Sequence, residues 1–229
     1  MDYKAKLPIT EELLWQIFPD INRDRGRANK AANIKGFVYT FNKHADYYAI
    51  DTVLEVSHFI AQVAHESDQF NAYEEYASGR AYNGRVDLGN IFAGDGEKFK
   101  GRGPIQTTGR KNYTTTGRRF LELPFLTLQE RKLFENDGIL GNPKLLQDPV
   151  WGTLAALDYW VDRDLNSLCQ PDNIKVSIKR LVNGKWGNYS YYPIEAITRK
   201  VNGGVNGLQD RINKYNKFKK AYEKYLQSL

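Results

Sequence analysis

Glu66, in the run Phe59-Ile-Ala-Gln-Val-Ala-His-Glu-Ser-Asp68, stands where an apolar helix stripe should continue. Phe59, Val63 and Glu66 follow the three-to-four residue spacing of one helix face. A carboxylate at the end of a buried stripe loses hydration when ionised, and the last turn of a helix carries partial negative charge. Both favour the protonated acid. A carboxylic acid that keeps its proton near neutral pH is what a general acid requires. The same residue also reads as a Glu at a frayed helix end that points into water.

A second carboxylate follows at Glu75, with Glu74 as the near alternative. On one unbroken helix, Glu75 would lie about 13 Å further along the axis and on the opposite face, out of reach of any bond that Glu66 serves. Ser67-Asp-Gln-Phe-Asn71 is a poor helix continuation, so the chain is expected to leave the helix there. A turn back would bring Glu75 across a cleft from Glu66. Inverting glycosidases hold their two carboxyl groups about 6.5–9.5 Å apart, with a water between. His65-Glu66 also opens like a zinc-protease helix, but position 69 is Gln where a second His is needed. With only His44, His58 and His65 in the chain, no metal and no cofactor is expected, and His65 reads as a packing or hydrogen-bonding residue.

Gly101-Arg-Gly-Pro-Ile-Gln-Thr-Thr-Gly-Arg-Lys-Asn-Tyr113 is the second dense stretch. The glycines around Arg102 permit close backbone approach. Gln106, Thr108 and Asn112 offer neutral donors and acceptors of the kind that suit sugar hydroxyls, N-acetyl groups and a positioned water. The stretch also reads as a Gly-rich turn with an Arg salt bridge; the order of a phosphate loop is absent. A third stretch, Arg199-Lys-Val-Asn-Gly-Gly-Val-Asn-Gly-Leu-Gln-Asp-Arg-Ile212, reads on its own as a sharp helix exit followed by a new helix.

The elements that must position these residues are mainly helical. Thr10 caps a helix that Pro19 closes, and a second helix is expected over 36–48, after a polar stretch from Asn22 to Asn33 that reads as loop or ragged helix. A helix over 52–67, capped by Asp51 or Thr52, carries Glu66. Residues 76 to 104 lack any long apolar period and read as an irregular lobe in which a small hairpin is expected. Further helices are expected over 125–137, 150–165, 174–182 and 194–201. A final helix shows the stripe Leu208, Ile212, Tyr215, Phe218, Tyr222 and Tyr225.

The chain has 229 residues, enough for one sizeable core, and reads as a single domain over 1–229 with the irregular lobe at about 68–104 within it. No apolar run approaches the roughly 20 residues of a membrane span. The start, Met-Asp-Tyr-Lys-Ala-Lys-Leu-Pro, lacks the apolar core of a secretory signal, so the expected place of synthesis is the cytoplasm. Cys169 is the single cysteine, which excludes an internal disulfide and reads as a buried or idle thiol. The net charge of +6 attracts the chain to polyanions, but no Lys/Arg block is long enough for a dedicated nucleic-acid arm.

Five motifs, in order, make the chain resemble glycoside hydrolase family nineteen, the family of chitinases and phage endolysins. They are Phe59 to Glu66, Gly101 to Tyr113, Asn142 to Pro149 with the aromatic Tyr159-Trp160 after it, Asn202-Gly-Gly204, and Asp210-Arg-Ile212. The resemblance covers roughly residues 35 to 225. It implies an all-helical, lysozyme-like fold of two lobes around a cleft, and single-displacement hydrolysis, with inversion, of a β-1,4 bond between N-acetylated amino sugars. It also implies the roles. Glu66 matches the general acid, Glu75 the second carboxylate, and Thr108 the hydroxyl that helps hold the attacking water. Gln106, Asn112, Tyr113 and Asn202 match substrate-binding positions, with Arg102, Arg211 and His65 in support. Thr107 departs from the family's usual Leu, and the disulfides of plant members are absent. The resulting expectation is a monomeric peptidoglycan hydrolase of endolysin type, with no nucleic-acid partner and no membrane insertion, that reaches the wall through a pore-forming partner or another route. A chitinase is the second reading, and a non-catalytic wall- or polyanion-binding module the third.

Overall fold

A computed structural model of the chain describes residues 7–19 and 27–229. Helix α1 (Glu11–Ile17) begins at Thr10, whose hydroxyl accepts the Leu13 N–H. Helix α2 spans Arg27–His44 and runs on into a single 3₁₀ turn, Ala45–Tyr48. It thus starts well before the expected 36; residues 22–26 of the stretch that reads as loop or ragged helix lie outside the described residues. Gly36 lets α2 meet the start of α8 (Pro149–Asp162): a Cβ there would lie 2.4 Å from Cβ of Pro149.

Helix α3 (Val53–Glu66) is central. Thr52 and Glu55 close a capping box at its start, and Val56, Phe59, Ile60 and Val63 are buried. Phe59 packs between Phe37 and Phe41 of α2 and meets Trp160 of α8 edge-on at 5.3 Å, so the core forms where α2, α3 and α8 cross. The last helix, α10 (Leu208–Leu226), lies along α3.

The lobe between 76 and 104 is irregular, as expected, with two 3₁₀ turns and the short helix α4 (Asp95–Lys98). Two tethers order it. Asp95 pairs with Arg110 through both oxygens, and the Asn90 side chain accepts the Arg110 N–H. Arg110 opens helix α5 (Arg110–Glu122), which sequence periodicity did not single out. Only Tyr113, Thr116 and Phe120 of α5 face inward, and two outer threonines return their hydroxyls to the carbonyls four residues back.

The expected helix over 125–137 is broken in two. Helix α6 ends at Lys132 (Leu128–Lys132), Asn136 takes a left-handed φ of 54°, and α7 occupies Gly138–Gly141. The expected helix over 174–182 is instead strand β1 (Val176–Val182), paired antiparallel with β2 (Lys185–Tyr191). The small hairpin therefore lies here, and not in the irregular lobe. Asn183-Gly184 is its two-residue turn, with φ of 49° and 75°, which only such residues adopt readily. The hairpin packs on α9 (Pro193–Asn202) through the buried Ile178. The architecture of the described residues is thus mostly helical with one two-stranded hairpin.

Candidate functional site

Glu66 occupies the last residue of α3 and is 21% exposed on its side chain. The apolar-stripe argument anticipates an apolar surround, but what Glu66 meets is a guanidinium. Arg211, in the first turn of α10 and 1% exposed, donates through Nη2 to Glu66 Oε1 and through Nη1 to Gln62 Oε1. A guanidinium taken out of water costs several kcal/mol unless it is paired, so the α3–α10 contact requires these acceptors. Gln62 is buried one turn before Glu66 on the same face and donates in turn to Thr198 of α9. One buried polar chain, Thr198–Gln62–Arg211–Glu66, thereby fixes the Glu66 carboxyl from three helices. Gln62 lies inside the quoted motif but was not singled out; its i, i+4 relation to Glu66 was the available signal.

Immediately after Glu66 the chain reverses. Ser67 accepts the Phe70 N–H and donates to the Val63 carbonyl, and Asp68, Gln69 and Phe70 all take left-handed φ values of 48°, 56° and 69°. Three such residues in a row cost roughly 1–2 kcal/mol each. Complete burial of the Phe70 ring offsets this in part, by about 1.5–3 kcal/mol, and the Asn33 side chain holds the Phe70 carbonyl at 2.8 Å. Past the turn, residues 73–75 run beside 101–103: the Tyr73 carbonyl accepts the Gly103 N–H, and Glu75 N–H reaches the Gly101 carbonyl. Arg102 in turn bridges Thr107 through both backbone groups.

Successive side chains of extended backbone point to opposite sides, and this separates the two neighbouring carboxylates. Glu74 turns away from Glu66 into an ion pair with the buried Arg102, at 3.0 Å, and with Lys100 at 3.4 Å. Glu75 turns toward the Glu66 side, and the two carboxylates line one cavity together with Gln106. Its Oε1 accepts from the Tyr82 hydroxyl at 2.9 Å and its Oε2 from the Gly101 N–H at 3.0 Å. Burial and the adjacent Glu75 raise the Tyr82 hydroxyl above its ordinary pKa, which keeps it a donor. Tyr82 carried no signal of its own in the sequence.

Gly101 explains how the remaining groups converge. A Cβ built on it would lie 2.6 Å from Gln106 Oε1 and 3.3 Å from both Glu75 Oε2 and Thr108 Oγ1. The absence of a side chain thus leaves a small space ringed by a carboxylate, an amide and a hydroxyl. Gln106 reaches it from a left-handed backbone (φ 56°), with its amide donating to the Gly103 carbonyl. Thr108 donates to the Gln106 carbonyl at 2.8 Å, which leaves its oxygen lone pairs as acceptors. Glu66, Gln106, Thr108, Asn112, Tyr159 and Asn202 then line an adjoining cavity of about 250 Å³, so Glu66 and Gln106 border both halves of one cleft. Asn112 is anchored by donation to the Thr108 carbonyl, and Asn202 by its contacts with Asn206 and Gly204.

Tyr113 stands apart from its expected role. It is fully buried, donates to the Lys100 carbonyl and accepts from Arg102, and burial pushes its hydroxyl up to about 12. It therefore stiffens the 100–102 backbone from behind and lines neither the Glu66–Glu75 cavity nor the one beside Asn112. Arg102 acts with it, holding Glu74 and the Lys98 carbonyl. His65 meets Asp210 of α10 at 2.5 Å, and Lys214 meets the same carboxylate. Burial pushes the Asp210 carboxyl up, but these two donors outweigh it and hold the group below the ordinary range. Gly207 presses on the His65 ring: a Cβ there would lie 2.2 Å from Cε1. Cys169 is buried and donates to the Leu165 carbonyl, away from the cleft. No cluster of metal-ligating side chains occurs among the described residues, and none of the described helices is long and apolar enough to cross a membrane.

No family model matches the sequence. A glycosyl hydrolase family 19 domain-containing protein of Haemophilus influenzae is 27% identical over 144 residues, spanning 62% of this chain and 51% of that protein. An endochitinase of Arabidopsis thaliana is 28% identical over 171 residues, spanning 72% of this chain and 46% of its own. The chain thus spans about half the length of the curated relatives it matches. Chitinase C from Streptomyces griseus shares the fold with a TM-score of 0.55 at 20% identity, over 94% of this chain and 92% of its own. The class IV family 19 chitinase of Zea mays does so with a TM-score of 0.55 at 16% identity, over the same shares. The chain is thus similar in sequence to glycosyl hydrolase family 19 proteins and shares the fold of family 19 chitinases.

Proposed function

We propose that the chain is an inverting glycoside hydrolase that cuts β-1,4 bonds in polymers of N-acetylated amino sugars. The observation that carries this reading is the shared cavity of Glu66 and Glu75, with the Gln106–Thr108 pair beside them. Glu66, oriented by Arg211, gives its proton to the glycosidic oxygen. Glu75, oriented by Tyr82 and the Gly101 N–H, takes a proton from a water that Thr108 and Gln106 hold on the other face of the sugar ring. Asn112 and Asn202 supply amide contacts to the sugars further along the cleft.

Two substrates share this chemistry. Chitin-type polymers are favoured by the similar proteins, which carry the names endochitinase and chitinase. Peptidoglycan is favoured by the net charge of +6, which suits an acidic envelope more than a neutral polymer. On that second reading the chain is a wall-degrading endolysin, reaching its substrate through a pore-forming partner or another delivery route. Mass spectrometry of fragments from purified peptidoglycan and from chitin oligomers identifies the bond cut in each. Glu66→Gln should lower turnover by about 10²- to 10⁴-fold, the range of general acid catalysis, with the fold retained. Normal turnover by that variant would end the assignment.

A further inference from the structure

The β1–β2 hairpin has two unlike faces. Val176, Ile178 and Arg180, with Tyr189 and Tyr191 opposite, turn toward α9 and are buried or half-buried. Ser177, Lys179 and Leu181, with Ser190, Asn188 and Trp186 opposite, all face solvent. Leu181 and Trp186 are directly paired across the strands, yet remain 50% and 68% exposed. An indole left in water on a flat sheet face, with an amide and two hydroxyls along the same strip, is a surface without a partner in this chain. The charge is one-sided as well. Residues 173–194 hold Lys175, Lys179, Arg180 and Lys185 and no Asp or Glu.

The inner face joins the hairpin to the cleft. Arg180 and Arg199 both stack on the Tyr191 ring, at 5.9 and 4.5 Å, and Arg180 donates to the Gly203 carbonyl, next to the cleft residue Asn202. We propose that the outer hairpin face is a second glycan-binding site, which holds a carboxylate-bearing glycan strand while the cleft cuts it. The Trp186 ring stacks on a sugar, Asn188, Ser177 and Ser190 bond its hydroxyls, and Lys179 meets the strand's carboxylates. A membrane surface fits less well, because the apolar pair is flanked by polar residues along the strip and is not part of a contiguous apolar patch. This assignment rests on the glycan-hydrolase reading for the choice of ligand, and peptidoglycan, with the carboxylates of its peptide stems, is the strand it selects.

The test uses the full chain carrying Glu66→Gln, so that the polymer survives, in pelleting assays with peptidoglycan sacculi stripped of phosphate polymers. Trp186→Ala should weaken binding about tenfold or more. Lys179→Gln should weaken it and flatten its salt dependence. With Glu66 intact, hydrolysis of a short soluble N-acetylglucosamine oligomer should be unaffected by Trp186→Ala. Binding by both hairpin variants equal to that of their parent overturns the site. Trp186-dependent binding to phosphatidylglycerol vesicles as tight as to sacculi overturns the glycan assignment, and equal affinity for chitin overturns its carboxylate part. Sacculus binding through Trp186 in a chain that hydrolyses no glycan leaves the hairpin site standing and removes the enzymatic reading. Hydrolysis with binding unaffected by the hairpin variants does the reverse.

Discussion

His58 makes the fold sensitive to mild acid, and the size of the effect follows from its surroundings. Its ring lies in the middle of α3, fully buried, stacked on Tyr215 at 4.2 Å, and neither ring nitrogen has a hydrogen-bond partner. Burial lowers its pKa from 6.5 to about 3, against the opposing pull of Asp172. Above pH 6.5 the ring is neutral in both folded and unfolded chains and has no effect on pH dependence. Below 6.5 the unfolded chain takes up a proton that the folded chain refuses, so stability falls with pH until about pH 3. Each pH unit is worth about 1.4 kcal/mol, so lowering the pH from 6.5 to 4.5 should cost about 3 kcal/mol through His58 alone. His44, lowered to about 4 by burial and then by Lys43, adds a slope of the same sign. Denaturant unfolding of the parent and of His58→Phe at pH 7 and at pH 4.5 isolates the first contribution. A variant that only packs differently shifts both points equally, whereas loss of the titration shrinks the acid-induced drop by about 3 kcal/mol. Equal drops in the two proteins would refute the reasoning.

The two neighbouring carboxylates should separate cleanly. Glu75→Gln should reduce glycan hydrolysis by about 10²-fold or more with little change in unfolding midpoint, in the range of general base catalysis. Glu74→Gln should retain most activity and instead lose about 3–5 kcal/mol of stability at most, because it leaves the buried Arg102 without its carboxylate; the reverse pattern in turnover and melting would exchange their roles. Gly101→Ala should fold, since the nearest obstacle is the movable end of Gln106, but should lose activity at least tenfold by filling the space between Gln106, Glu75 and Thr108; a crystal structure with and without substrate analogue would show the displaced amide.

The helices that carry strong local signals were legible in the sequence. Thr52 and Glu55 announce α3, Asp148-Pro149 announces α8, and the aromatic stripe announces α10. The hairpin was not, because Asn183-Gly184 ends a helix and turns a hairpin equally well; the burial alternation around Ile178 that separates the two needs a neighbour such as α9 to define an inside. Helix α5 was hidden by three threonines and Gly117, poor helix formers whose conformation is imposed by packing at Tyr113 and Phe120. Tyr113 was misplaced for a related reason: a motif gives adjacency in the chain and not the side on which a ring lies. Nor could spacing show that Arg211 meets Glu66, since 145 residues separate them. The family pattern alone brought both into one site. Choosing Glu75 over Glu74 required the 73–75 and 101–103 pairing, which is a property of two segments and not of either.

The left-handed turn Asp68-Gln-Phe70 has a bearing on how this scaffold can be redesigned. Glu66 belongs to α3 and Glu75 to the segment paired with Gly101, and this turn begins the short link that joins them. The gap between two such carboxyl groups decides whether a glycosidase inverts or retains, with about 5–5.5 Å marking retention. On the proposed glycosidase reading, the anomeric outcome depends on a link that contains no reacting group. Libraries that vary the length of the 67–72 link, with both carboxylates and their partners untouched, search reaction stereochemistry directly, and they do so from residues of which Asp68, Gln69 and Ala72 also border the cavity of Glu66 and Glu75.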